Sequence, residues 1–263
     1  MFNEERWKTI PWRGREKPAS DIIIDILLEL PEILYELDRI DSLSVDDDRF
    51  DTMRLKTVAK CWAVHCNLEA WFGKNSHKVY TTDVEAPKNI DFPNLGVAAL
   101  SLRYWTTATI LYQCLDRALR YSVYEDLLPY AHRPHGRPFA RLIVRSVQWL
   151  FRKDNGVTGP SAVAFPLGIA LMYLRQSDVP DPEYLGMVFC AWNDPEWPSS
   201  IKDFLRSMGS AIQLPTRNLP ENPVTWSTSE LEPIMDIDGN PLPGPFEKPS
   251  RHHWVEPPEQ HVV

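Results

Sequence analysis

The stretch LGVAALSLRYWTTATILYQCLDRALR, residues 95–120, decides the fold, because it is long, free of proline and segregated by face. Val97, Leu100, Tyr104, Ala108, Leu111, Leu115 and Ala118 recur at three- and four-residue steps, which lays them along one apolar stripe of a 3.6-residue helix. Arg103, Thr106, Gln113 and Arg117 fall on the opposite side and read as its solvated face. Asn94 follows Pro93 and is placed to cap the first turn with its side-chain oxygen. A helix of this length is a central strut, and its apolar stripe has to be covered by other elements.

Upstream, residues 1–19 carry Trp7, Pro11, Trp12 and Pro18 among charges and read as an extended docking segment. The run IIIDILLELPEILYELDRI has helical spacing but contains Pro31, so two short helices or one kinked helix follow. Asp46, Asp47 and Asp48 place carboxylates at the positive end of the next helix, which is expected from Asp48 to Phe72 with Gly73 as its stop. Val58, Cys61, Trp62, His65, Glu69 and Phe72 share one side of it. Ala59, Ala63, Cys66, Ala70 and Trp71 leave the other side nearly without polar groups, so burial over most of the circumference is expected. Residues 73–93 form a long connection, of the kind that is either docked and functional or mobile.

Beyond Arg120, a helix is expected from Phe139 to Arg152, with an inner face of Leu142, Ile143, Ser146, Val147, Leu150 and Phe151. Arg141, Arg145, Gln148 and Arg152 form its polar stripe. Gly159-Pro160 and Asp181-Pro182 restart the chain as helices to about Arg175 and Ala191, with Asp181 as an N-cap. Pro198 opens a last helix ending near Gly209 or before Pro215. No sustained period-two alternation occurs, so the fold class is all-α, a single irregular multi-helix bundle. The domain organisation follows: 1–215 helical, 216–263 a Pro-rich acidic tail expected to be flexible. That tail carries −5 of the formal charge of −8.

Charge and composition narrow the function. A net charge of −8 argues against a surface built for nucleic acid. Four dispersed cysteines, with neither a secretory h-region nor an apolar run near twenty residues, point to an intracellular chain, nuclear or cytoplasmic, without disulfides and without a membrane span. Cys61 and Cys66 lie about 140° apart on a helix, too far round to chelate together, and no zinc-like spacing completes a metal site. His65 and Glu69 are one turn apart on an apolar face: either an acid/base pair or a buried imidazole satisfied by its neighbour. The aromatics Trp62, Trp71, Tyr104, Trp105, Tyr112 and Trp149 either line a hydrophobic ligand pocket or form core. The arginine stripe either meets a carboxylate, a phosphate or an acidic partner, or is a solvated face. Phosphate loops, GxSxG and HExxH are absent from the sequence, and no cofactor is implied.

Several short motifs resemble a known family. Trp7 with Ile10-Pro11-Trp12, Lys17-Pro18, Leu30-Pro31-Glu32-Ile33-Leu34, Cys61-Trp62, Leu68-Glu69-Ala70-Trp71, Leu102 with Tyr104-Trp105, Arg145-Ser146-Val147, and Gly159-Pro160 with Phe165-Pro166-Leu167 occur in order. This order resembles the C-terminal helical region of fungal zinc-cluster (Zn2Cys6) transcription-factor-like proteins, over residues 1–215. The resemblance implies a regulatory domain, often encoded near secondary-metabolite genes. It does not extend to a DNA reader, since the family's six clustered cysteines have no counterpart. The expectation is a regulatory domain acting through protein partners or a small hydrophobic effector, touching Trp62, Tyr104, Trp105, Arg145 and Trp149, with no direct nucleic-acid contact. The alternative is a cofactor-independent cyclase or isomerase acting on a hydrophobic metabolite, with His65 and Glu69 as acid and base.

Overall fold

In the computed structural model, residues 8–81, 88–120, 134–176, 181–192, 199–200 and 202–203 are described. Backbone contacts divide the chain into Met1–Thr216 and Arg217–Val263, and the described residues all belong to the first unit. The expected flexible tail and most of the expected helix from Pro198 lie outside them, though 199–200 and 202–203 are helical. Among the described residues the α-helices are α1 (Ala19–Leu27), α2 (Leu30–Asp41), α3 (Phe50–Asn75), α4 (Leu95–Leu119), α5 (Gly136–Leu150), α6 (Thr158–Gln176) and α7 (Pro182–Trp192). No strand occurs among those residues, so this unit is all-α.

Helix α4 is the axis. It packs against α1, α2, α3, α5 and α6. Asn94 caps it as its position demands, accepting the Val97 N–H at 2.9 Å. The expected solvated face is only partly open: Thr106 is 1 % exposed, while Arg103, Gln113 and Arg117 are half-buried. The reason is local chemistry. Thr106, Thr107 and Thr109 return their hydroxyls to the carbonyls of Leu102, Arg103 and Trp105, so each presents its methyl group outward and needs no water. Arg117 is drawn to Asp38 and Asp41 at the end of α2.

Pro31 begins α2 and separates it from α1, giving two short helices. Ile23, Ile26, Leu30, Ile33, Leu37 and Ile40 form their buried stripe. Lys60 of α3 bonds both Glu32 and Glu36 at 2.6 Å, tying α2 to α3. The N-terminal segment departs from the extended reading. Residues 8–9 are helical, Ile10–Trp12 is a 3-10 turn, and the Trp12 ring lies under Arg15. Trp7 lies outside the described residues.

Helix α3 differs from expectation twice. It starts at Phe50 and runs through Gly73, which has no left-handed φ. Burial of Trp71 and of the Asn75 side chain, whose amide donates to the Trp71 carbonyl at 2.9 Å, carries the helix further than glycine alone would. Its burial is one-sided: Ala59, Ala63, Cys66 and Ala70 are exposed, because alanine is not apolar enough to compel a cover. Helix α5 starts at Gly136, ahead of Phe139. Pro166 lies inside α6 without ending it.

These assignments give opposite expectations for two glycines. Gly73 is exposed in mid-helix, and a Cβ added there would project into open space, so Gly73→Ala should stabilise the fold by about 0.5–1 kcal/mol. A Cβ on Gly159 would meet the Leu150 carbonyl oxygen at 2.0 Å, so Gly159→Ala should destabilise by about 2 kcal/mol or more. Urea midpoints of the two variants check both signs.

Candidate functional site

Helices α3 and α4 run antiparallel, which sets His65 against Tyr112 and Phe72 against Tyr104. Tyr104, Ala108 and Tyr112 are one turn apart on α4. Phe139 of α5 reaches both tyrosines, with ring centroids 5.7 Å from Tyr104 and 5.8 Å from Tyr112; the small Ala108 between them leaves the room. On the α3 side, Trp71 and Phe72 stack on Tyr104 at 5.7 and 4.8 Å. Trp62 packs on His65 at 4.5 Å. The result is a continuous row of rings with half-buried Trp62, His65, Phe72 and Phe139 at its edge.

His65 is held across the helix pair. Its Nδ1 lies 3.1 Å from the Tyr112 hydroxyl, while Glu69 is exposed, so the local carboxylate does not fix the imidazole by hydrogen bonding. Burial lowers the His65 pKa, and the Glu69 charge opposes that shift. Burial, then the Glu69 charge, raises the pKa of Tyr104 and of Tyr112, so both phenols keep their protons. In the tautomer whose Nδ1–H donates to the Tyr112 oxygen, the neutral imidazole keeps a lone pair on its outer nitrogen that can accept a proton, and Glu69 supplies a negative field to His65, Tyr104 and Tyr112.

The other expected contact residues lie elsewhere. Trp105 and Trp149 meet Phe92 at 6.0 and 5.2 Å, and Tyr80 meets it at 5.1 Å. Phe92 belongs to the connection between α3 and α4, and it plugs a second aromatic group apart from His65. Ile90 N–H donates to the Arg145 carbonyl at 3.0 Å, and the Tyr80 N–H donates to Ser101 Oγ at 2.8 Å. The described parts of that connection are therefore docked. Residues 82–87 lie outside the described residues.

Arg145 is buried, in contrast to the polar stripe expected for it. Its Nε donates to the Lys88 carbonyl at 2.6 Å. Gln148 bonds Asn89, Arg152 bonds Asp91, and Arg141 bonds Asp181. The stripe of α5 is thus turned towards the chain's own acceptors. Asp181 consequently does not cap α7 with its carboxylate, which goes to Arg141. Cys61 is buried and Cys66 exposed, on different sides of α3, and the cysteines are free. No group of three or more metal-ligating side chains occurs among the described residues.

Tyr112 and Phe139, the residues that complete the ring row, come from other helices. Tyr112 is among the aromatics the sequence singles out, and its spacing from Tyr104 and Ala108 puts it on their face, whereas nothing in the sequence marks Phe139 as their neighbour. Compared with known protein families, curated proteins and solved structures, the chain matches none.

The unfolded chain takes up a proton on His65 near the ordinary pKa of 6.5, before the folded chain does. Its stabilising contribution is therefore complete above that value and declines as pH falls towards the lowered folded pKa. Glu32 and Asp47, with pKa values lowered from 4.5 and 3.8, lose theirs only in more acidic solution. Thermal melts from about pH 7.5 to 5.5 should show a falling Tm, and His65→Gln should flatten that slope. Tyr112→Phe should lose about 1 kcal/mol at neutral pH.

Proposed function

We propose that this chain is a fungal transcription-factor-like regulatory domain that lacks a DNA-binding module and acts through protein partners or a small effector, in the nucleus or cytoplasm. The observation that carries the reading is the occupancy of the basic residues on α5 and just beyond its end. Arg141, Arg145 and, just past the helix end, Arg152 are directed at Asp181, the Lys88 carbonyl and Asp91, so these basic residues meet the chain's own acceptors at separate places instead of forming one continuous row along a nucleic-acid backbone. The net charge of −8 adds a field that repels nucleic acid. The family-like motifs support a scaffold role: Cys61, Leu68, Trp71, Leu102, Tyr104, Trp105 and Val147 are all core residues. A link to secondary metabolism is the setting that the resemblance implies.

A second reading is favoured by one observation, the His65–Tyr112 hydrogen bond in the field of Glu69. Under it the domain is a cofactor-independent isomerase or cyclase. His65 exchanges the substrate proton, and half-buried Trp62 and Phe139 are its hydrophobic contacts.

Selection from a random duplex library at about 50 mM salt, where phosphate contacts are strongest, should enrich no motif. Sequence-selective nanomolar binding would remove the regulatory reading. Native mass spectrometry after incubation with fungal metabolite extracts separates the two readings. A species bound unchanged supports the effector, whereas a converted species that disappears with His65→Gln supports the enzyme.

A further inference from the structure

Arg137 and Arg141 lie one turn apart on α5 and converge on one carboxylate, that of Asp181 immediately before α7. The Asp181 side chain is 1 % exposed, while those of Arg137 and Arg141 are 20 % and 29 % exposed. Arg141 directs Nε, at 2.8 Å, and Nη2 to the same oxygen, Oδ1. Arg137 Nε lies 3.5 Å from Oδ2, and Oδ2 accepts no hydrogen bond among the described residues. The Arg141 guanidinium also lies 4.9 Å from the centre of the Tyr184 ring, which fixes its plane.

This pairing is strong in charge and poor in geometry. A guanidinium matches a carboxylate best with two parallel N–H···O bonds, one to each oxygen. Here both bonds fall on one oxygen, and the other is buried without a donor, an arrangement that carries a desolvation cost. Asp181, tethered as the residue before α7, presents only Oδ1 to a hydrogen-bonding N–H among the described residues. A free oxyanion has no such tether. The two arginines are reachable from solvent, and α7 rests chiefly on α5, with its Tyr184 and Val188 buried.

We propose that Arg137 and Arg141 form an oxyanion site for a ligand carrying a carboxylate or phosphate group, which Asp181 fills from within until such a ligand displaces it together with α7. The site is defined by its guanidinium pair and stands whether the domain regulates or catalyses. Asp181 acts as an intramolecular competitor, so the wild-type chain answers only to ligand above the effective concentration that its tether provides, in the millimolar range.

The full chain is followed by hydrogen–deuterium exchange in phosphate, acetate or chloride at matched ionic strength. Phosphate or acetate should speed exchange across residues 182–192 several-fold over chloride, leaving residues 98–115 unchanged. A response to phosphate alone assigns a phosphate ligand, and a response to acetate alone a carboxylate. Asp181→Asn should tighten binding of the responding anion on the order of tenfold by removing the competitor, and Arg141→Ala should abolish it. Equal exchange in the three salts would overturn the proposal. So would a response that survives in Arg141→Ala, because it would locate the anion elsewhere.

Discussion

Everything in the helical unit depends on α4 being buried over most of its circumference. Three threonines in its middle satisfy their hydroxyls on their own helix, most of the remaining positions are apolar or aromatic and buried, and Arg117 is drawn to Asp38 and Asp41 on α2. A helix in that condition cannot lie on a surface; it has to be surrounded. α1 to α3 take one part of its circumference and α5 with α6 the other, with the docked connection from α3 bringing Phe92 against it. The remaining helices then need only one buried stripe each, which is why α2 and α3 tolerate open faces.

That constraint also places the chemistry. The antiparallel contact of α3 with α4 sets a neutral imidazole on a phenol, and the contact of α5 with α4 pushes Phe139 between two tyrosines. Both are consequences of packing, and a regulatory domain can hold them as core. They become chemistry only if a ligand reaches the imidazole's outer nitrogen. The arginines of α5 follow a different logic. Arg145 and, just past the end of α5, Arg152 hold the connection between α3 and α4 at Lys88 and Asp91, and Arg141 holds Asp181 before α7, so polar contacts here add to the apolar ones of Ile90, Phe92, Tyr184 and Val188.

Much of the fold is legible in the sequence because period-3.6 patterning, Pro31 and Asn94 act locally. The break between α1 and α2, the cap of α4 and the inner face of α5 follow from residues within a turn of one another. Misreadings arise where a distant partner decides. Thr106 looks polar because a hydroxyl is counted as hydrophilic, although its own helix satisfies it. Gly73 looks like a stop because the burial of Asn75 beyond it is a tertiary fact. The His65–Glu69 pair is visible as a spacing, but the partner that holds the imidazole, Tyr112, is 47 residues away. Arg145 and Asp181 follow the same pattern: a charge reads as solvated or as a cap until the neighbouring element supplies its counter-group.

The central claim is that α4 is enclosed and therefore opens only when the whole unit does. Native-state hydrogen exchange of residues 98–115 tests this most directly. Their amides should exchange with a free energy equal to that of global unfolding by urea, and with the same denaturant dependence. Exchange of the Thr106–Thr109 amides through a smaller, denaturant-independent opening would contradict it, because that segment would then be reaching water while the rest of the unit remained folded.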